Sequence, residues 1–76
     1  MKETEFLKHL ASILEVKPKD IIKNKTLESY DFDSLRVLEL MSFNDQFFEE
    51  LNISADQIQD CVKISDLIRI YGSMIK

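Results

Sequence analysis

Tyr30-Asp31-Phe32-Asp33-Ser34-Leu35-Arg36-Val37-Leu38-Glu39-Leu40 is the stretch in which a polar loop gives way to an amphipathic helix. Asp33 and Ser34 stand at the junction. Both residue types cap helix N-termini well, because a short side-chain oxygen accepts from the free N–H groups of the first turn. A helix that starts at Ser34 sets its hydroxyl at the positive end of the helix dipole, where an attached phosphate is favoured. At about 100° per residue the pattern predicts a helix from Ser34 to about Glu50. Val37, Leu40, Met41, Phe47, Phe48 and Leu51 then face inward, and Glu39, Ser42, Asp45, Gln46 and Glu49 face solvent. Asn44 falls inside the inward stripe; once buried it needs a hydrogen-bond partner or costs about 1–3 kcal/mol. Leu35 and Leu38 break the pattern. They project from the polar side beside Ser34, as a small docking patch would.

Upstream, Phe6, Leu7, Leu10, Ile13 and Leu14 share one face of a helix running from Glu3 or Thr4 to Glu15. Lys17-Pro18-Lys19-Asp20 is the expected stop, since proline cannot continue the hydrogen-bond ladder. Ile21 and Ile22 are expected anchors, Lys23 to Thr26 a polar loop, and Leu27 a return to the core. Long loops in small domains tend to be functional or pinned by such anchors. Downstream, Ser54 and Gln57 have capping-box spacing for a short helix over Ala55 to Asp60, with Ile58, Cys61 and Val62 as its apolar residues. A last helix is expected after an N-cap at Ser65. Its core face is Leu67, Ile68, Tyr71, Met74 and Ile75, and Gly72 ends or frays it. The predicted fold is all-α: a small bundle of three main helices and one short one.

The 76 residues are read as one domain, near the lower size at which a single core supports folding. One glycine and one proline leave too few turn formers for an all-β fold. The net charge of −4 is unevenly spread: residues 28–60 hold nine acids against Arg36 alone, and each flank is net +2. Such a field repels nucleic acid and attracts basic partner surfaces; its plain alternative is a solvated acidic face. No apolar run is long enough to cross a bilayer and no signal peptide opens the chain, so no stable membrane insertion is expected. Cys61, the single cysteine, excludes an internal disulfide and a cysteine-based zinc cluster, and suits a reducing cytoplasm. A monomer is expected.

No enzyme constellation is visible. His9 lies at the edge of the first helix's apolar stripe without a nucleophile or carboxylate partner nearby, and there is no Gly-rich phosphate loop or metal-ligand cluster. Asp31-Phe32-Asp33 does not open a calcium loop, because Arg36 and Ser42 stand where such a loop needs Gly and Glu. Cys61 reads as a small core residue rather than a nucleophile. Ser34 has no general base in the local sequence, so it suits a substrate for another enzyme better than a catalytic nucleophile.

Asp33-Ser34-Leu35, opening a helix that continues Val37-Leu38-Glu39-Leu40, resembles the signature of acyl carrier proteins. The likeness extends over nearly the whole chain, through Leu14-Glu15-Val16-Lys17 before the long loop and Ile53-Ser54 before the third helix. It implies an acyl-carrier-like bundle with no catalytic residues of its own. Carried over to this chain, a phosphopantetheinyl transferase moves 4′-phosphopantetheine from coenzyme A onto Ser34, with Asp33 as cap and recognition element. The arm carries acyl groups as thioesters between acyl-loading and acyl-transferring enzymes. Leu35 and Leu38 meet the apolar entrance of each partner. Arg36, Glu39, Asp45, Glu49 and Asp56 complete the partner-facing set, the acids opposing basic docking patches.

Departures from the family narrow the expectation. Where Leu-Gly commonly precedes the signature this chain has Tyr30-Asp31, and aspartate tolerates the left-handed backbone that glycine often marks. Phe32 replaces a small residue and is placed to shield the attachment point. Arg36 stands where an acid is common; its plain alternative is a solvated side chain. The departures favour a specialised fatty-acid or polyketide-type carrier over a housekeeping one. The alternatives are a D-alanyl or aminoacyl/peptidyl carrier and, outside carriers, a small helical adaptor without a prosthetic group. Phe43, Phe47 and Phe48 make the second helix bulky, so long acyl chains are expected to be poorly sheltered.

Overall fold

The computed structural model describes residues 1–48 and 52–76. Four helices follow in order: α1 (Glu3–Leu14), α2 (Ser34–Phe47), α3 (Ala55–Gln59) and α4 (Ile64–Ile70). Short 3₁₀ turns occupy Pro18–Asp20, Leu27–Tyr30 and Gly72–Met74, and the described residues contain no strand. This is the all-α arrangement of three main helices and a short one that the periodicity predicts.

Phe6, Leu10 and Leu14 of α1 meet Val37, Leu40 and Phe43 of α2, Ile58 of α3 and Leu67 of α4 in one core. Phe6 is the hub, its ring 4.8 Å from Tyr71 and 6.0 Å from Phe43 between centroids. Tilted aromatic pairs at these spacings stabilise beyond the area they bury. Asn44 is buried as expected, and its partner is the Tyr71 hydroxyl, which donates to Asn44 Oδ1. Asn44 Nδ2 has no partner among the described residues. Burial holds the Tyr71 phenol far above its ordinary range, the Asn44 hydrogen bond opposing the shift only in part.

Several boundaries differ from the sequence reading, each for a local reason. α1 does not wait for Pro18. Glu15 adopts a left-handed backbone (φ 59°), and the Val16 amide turns back to the Ala11 carbonyl at 2.9 Å, closing the helix while Pro18 opens a 3₁₀ turn. Only Ile21 of the Ile21-Ile22 pair packs on the core; Ile22 is 51% exposed. α2 ends at Phe47, because Phe48 leaves helical backbone (φ −135°, ψ 61°). That turn brings the Phe48 ring within 5.4 Å of Tyr71 and fills the space expected for Phe47. Phe47 is left 45% exposed, stacked on His9, and Phe43 joins the buried face. The expected continuation through Glu49, Glu50 and Leu51 lies outside the described residues.

The short α3 carries the predicted Ser54–Gln57 capping box and buries Ile58. Val62 follows the end of that helix and is exposed rather than core, its carbonyl accepting from the Leu27 amide. α4 starts one position before Ser65, with Lys63 as N-cap, since the carboxylate of Asp66 accepts from the amides of both Lys63 and Val62. Gly72 does end this last stretch. Its φ of +56° suits a residue without Cβ, and the turn it makes leaves Met74 exposed while returning Ile75 to the core.

Candidate functional site

The loop before Ser34 is held at both ends. Its middle pairs with the α3–α4 link: the Leu27 amide donates to the Val62 carbonyl at 2.8 Å, Ile64 to Lys25 at 3.1 Å and Ser65 to Lys23 at 3.0 Å. Tyr30 secures the other side, accepting from the Ile22 amide at 3.0 Å and donating to the Asp20 carbonyl at 2.8 Å. Lys25 lies over the Tyr30 ring. The residue that departs from the family pattern therefore fastens the loop, a role with no signal in local sequence.

Asp31 then takes the left-handed conformation expected of it (φ 57°) and reverses the chain. Phe32 drops half-buried onto the core, its amide bonded to Leu27. Asp33 is extended, and its carboxylate accepts from the Arg36 amide at 3.1 Å, the N-cap predicted from sequence. Ser34 is exposed in the first turn of α2. The amides of Ser34 and Leu35 have no partner among the described residues. Free amides, the helix dipole and an accessible hydroxyl coincide here.

Ser34 stands on the edge of an open cleft of about 740 Å³. Leu27, Phe32, Val37, Cys61 and Val62 supply its apolar lining. Cys61, read as a small core residue, does pack against the core, whereas Val62, expected with it, is exposed beside the cleft. The Cys61 thiol is half-buried and donates to the Gln57 carbonyl at 3.4 Å. Desolvation, reinforced by the charges of Asp66 and Asp60, pushes its pKa up, which favours the thiol over the nucleophilic thiolate.

The other predicted site residues divide into a cluster and outliers. Leu35 (58% exposed) and Leu38 (64% exposed) flank Ser34 on the first two turns, as predicted. Glu39 is beside them, half-buried. Arg36 is not a solvated side chain: its guanidinium reaches Glu15 at 3.3 Å and Glu39 at 3.4 Å. Glu15 belongs to the site's surroundings without any sequence signal to announce it. Asp45 is exposed about three turns further along α2, and Asp56 is exposed on α3. Glu49 lies outside the described residues.

The surroundings of Ser34 hold no catalytic apparatus among the described residues. Among the described residues no group of histidine, cysteine and carboxylate side chains is arranged to hold a metal ion, and no helix is long and apolar enough to cross a membrane. What the arrangement offers is an accessible hydroxyl, an anion-stabilising helix end and an apolar-lined cleft beside it. In comparisons with known proteins, the family model described as phosphopantetheine attachment site matches residues 4–70. No curated protein and no solved structure matches the chain.

Proposed function

Because the chain belongs to the phosphopantetheine attachment-site family, a family of non-catalytic carriers bearing covalent 4′-phosphopantetheine, we propose that it carries acyl groups on an arm attached to Ser34. The observation that carries this reading is the exposed Ser34 hydroxyl in the first turn of α2, where Asp33 caps the helix and the amides of Ser34 and Leu35 have no partner among the described residues. A phosphodiester at that position is stabilised by those amides and by the dipole of a 14-residue helix. When bound, the arm supplies a terminal thiol that holds an acyl group as a thioester.

The chain's own residues do the rest. Asp33 keeps the helix start in register. Leu35 and Leu38 give partners an apolar contact, while Glu39, Asp45 and Asp56, with Glu49 in the sequence beside them, steer basic partner surfaces into encounter. Carriers of this family are modified by a phosphopantetheinyl transferase and meet partner enzymes in turn. The cleft is open and the core beneath α2 is filled by Phe43 and Phe48, which supports weak shelter for long chains. An aspartate, rather than a glycine, directly before Ser34 favours acyl over aminoacyl or peptidyl cargo, in a specialised fatty-acid or polyketide-type pathway in the cytoplasm. The adaptor alternative, which required no prosthetic group, does not stand beside the family match.

Incubation with coenzyme A and a broad-specificity transferase, followed by intact-protein mass spectrometry, tests the assignment. One phosphopantetheine adduct on the full chain and none on Ser34→Ala is the expected result. An adduct that persists in Ser34→Ala would overturn it.

A further inference from the structure

Arg36 is the one cation of residues 28–60, and it sits between the exposed Leu35 and Leu38. Its side chain is only 18% exposed. Nη2 lies 3.3 Å from Glu15 Oε2 and Nη1 3.4 Å from Glu39 Oε1, so one planar fork engages carboxylates from two elements of the fold. A lysine's single point charge does not reproduce that geometry. Glu15 is the left-handed residue that closes α1. Glu39 is one turn along from Leu35, on the strip that partners would touch.

Two effects follow at the start of α2. The tethered guanidinium subtracts a charge from an otherwise acidic face, and it already engages the carboxylates of Glu15 and Glu39. A partner's lysine or arginine must therefore compete with a cation that the fold itself supplies.

We propose that Arg36 determines partner specificity by holding Glu39 and Glu15, which weakens partners that dock through cationic side chains and favours those that read the Leu35–Leu38 patch. The proposal rests on the carrier reading.

Steady-state loading of the full chain, by a transferase chosen for a cationic docking surface and over a range of salt, separates the possibilities. Arg36→Gln is expected to lower KM about two- to fivefold with kcat unchanged, and to steepen the salt dependence. Arg36→Lys, which keeps the charge but not the fork, is expected to fall between. In Arg36→Gln/Glu39→Gln the gain should shrink, because only the Glu15 carboxylate is then released. A merely structural role predicts the opposite sign, since loosening α1 from α2 raises KM. Loading with KM unmoved or raised in Arg36→Gln overturns the specificity role and leaves the carrier reading standing. No loading of the unaltered chain would overturn the carrier reading, and this inference with it.

Discussion

Two helices of this chain begin on either side of the same loop ladder, and they begin in opposite ways. α4 is closed: its first amides donate to the Lys25 and Lys23 carbonyls, and the Asp66 carboxylate gathers the amides of Lys63 and Val62 just before it. The residue after its far end is anchored as well, the Tyr71 hydroxyl donating to Asn44 of α2. α2 begins with one capping bond, from the Arg36 amide to Asp33, and leaves Ser34 exposed. Donors satisfied within the fold are unavailable to anything else. The difference separates a helix that fixes the frame from a helix start kept open for chemistry.

Breaking the closed side should cost most. Tyr71→Phe leaves both polar ends of buried Asn44 unpaired, and a loss of about 1–3 kcal/mol is expected in urea unfolding. The same residue gives an alkaline signature. Burial raises the folded-state phenol pKa above its unfolded value, so stability is unaffected below the unfolded value and falls as pH rises beyond it. That fall, measured from pH 9 upward to about 11 around the ordinary phenol value of about 10, should be reduced in Tyr71→Phe.

On the open side, Asp33→Ala removes the single capping bond and is expected to cost about 1 kcal/mol, read as a shift in the urea midpoint. Asp66→Asn probes the closed start more gently, because an amide oxygen still accepts. The amide of Lys63, then that of Val62, holds the Asp66 carboxyl below the ordinary carboxylate range. Its stabilisation is present above the unfolded value and is lost as pH falls through the folded one. The acid limb of the stability–pH curve should therefore flatten in Asp66→Asn. The smallest effect belongs to Ser34→Ala: unfolding should move by no more than about 0.5 kcal/mol while loading vanishes. A large stability loss there would erase the contrast between the two helix starts.

Much of this was legible in sequence because it is set by neighbours a few residues apart. The cap at Asp33, the capping box at Ser54, the exposed leucines and the left-handed Asp31 all follow from local side-chain chemistry. So does the burial of Asn44, from its place in the apolar stripe. What escaped depends on chain segments that meet only in three dimensions. Tyr30 reads as an odd substitution until its hydroxyl is seen bridging Ile22 and Asp20. Arg36 reads as a partner-facing residue, or plainly a solvated one, until Glu15 at the end of α1 is seen to hold it. Phe48 is buried as its place in the stripe requires, but Phe47 is left exposed and Phe43 is buried in its stead, and no periodicity rule anticipates the break in the helix at Phe48. Val62 changes sides for the same kind of reason, being drawn into the ladder with Leu27.

That ladder also ties the site to the order in which the chain is made. The residues that hold the loop before Ser34 in place are Val62, Ile64 and Ser65, which are synthesised long after it. A nascent chain lacking them has the signature but not the support that presents it.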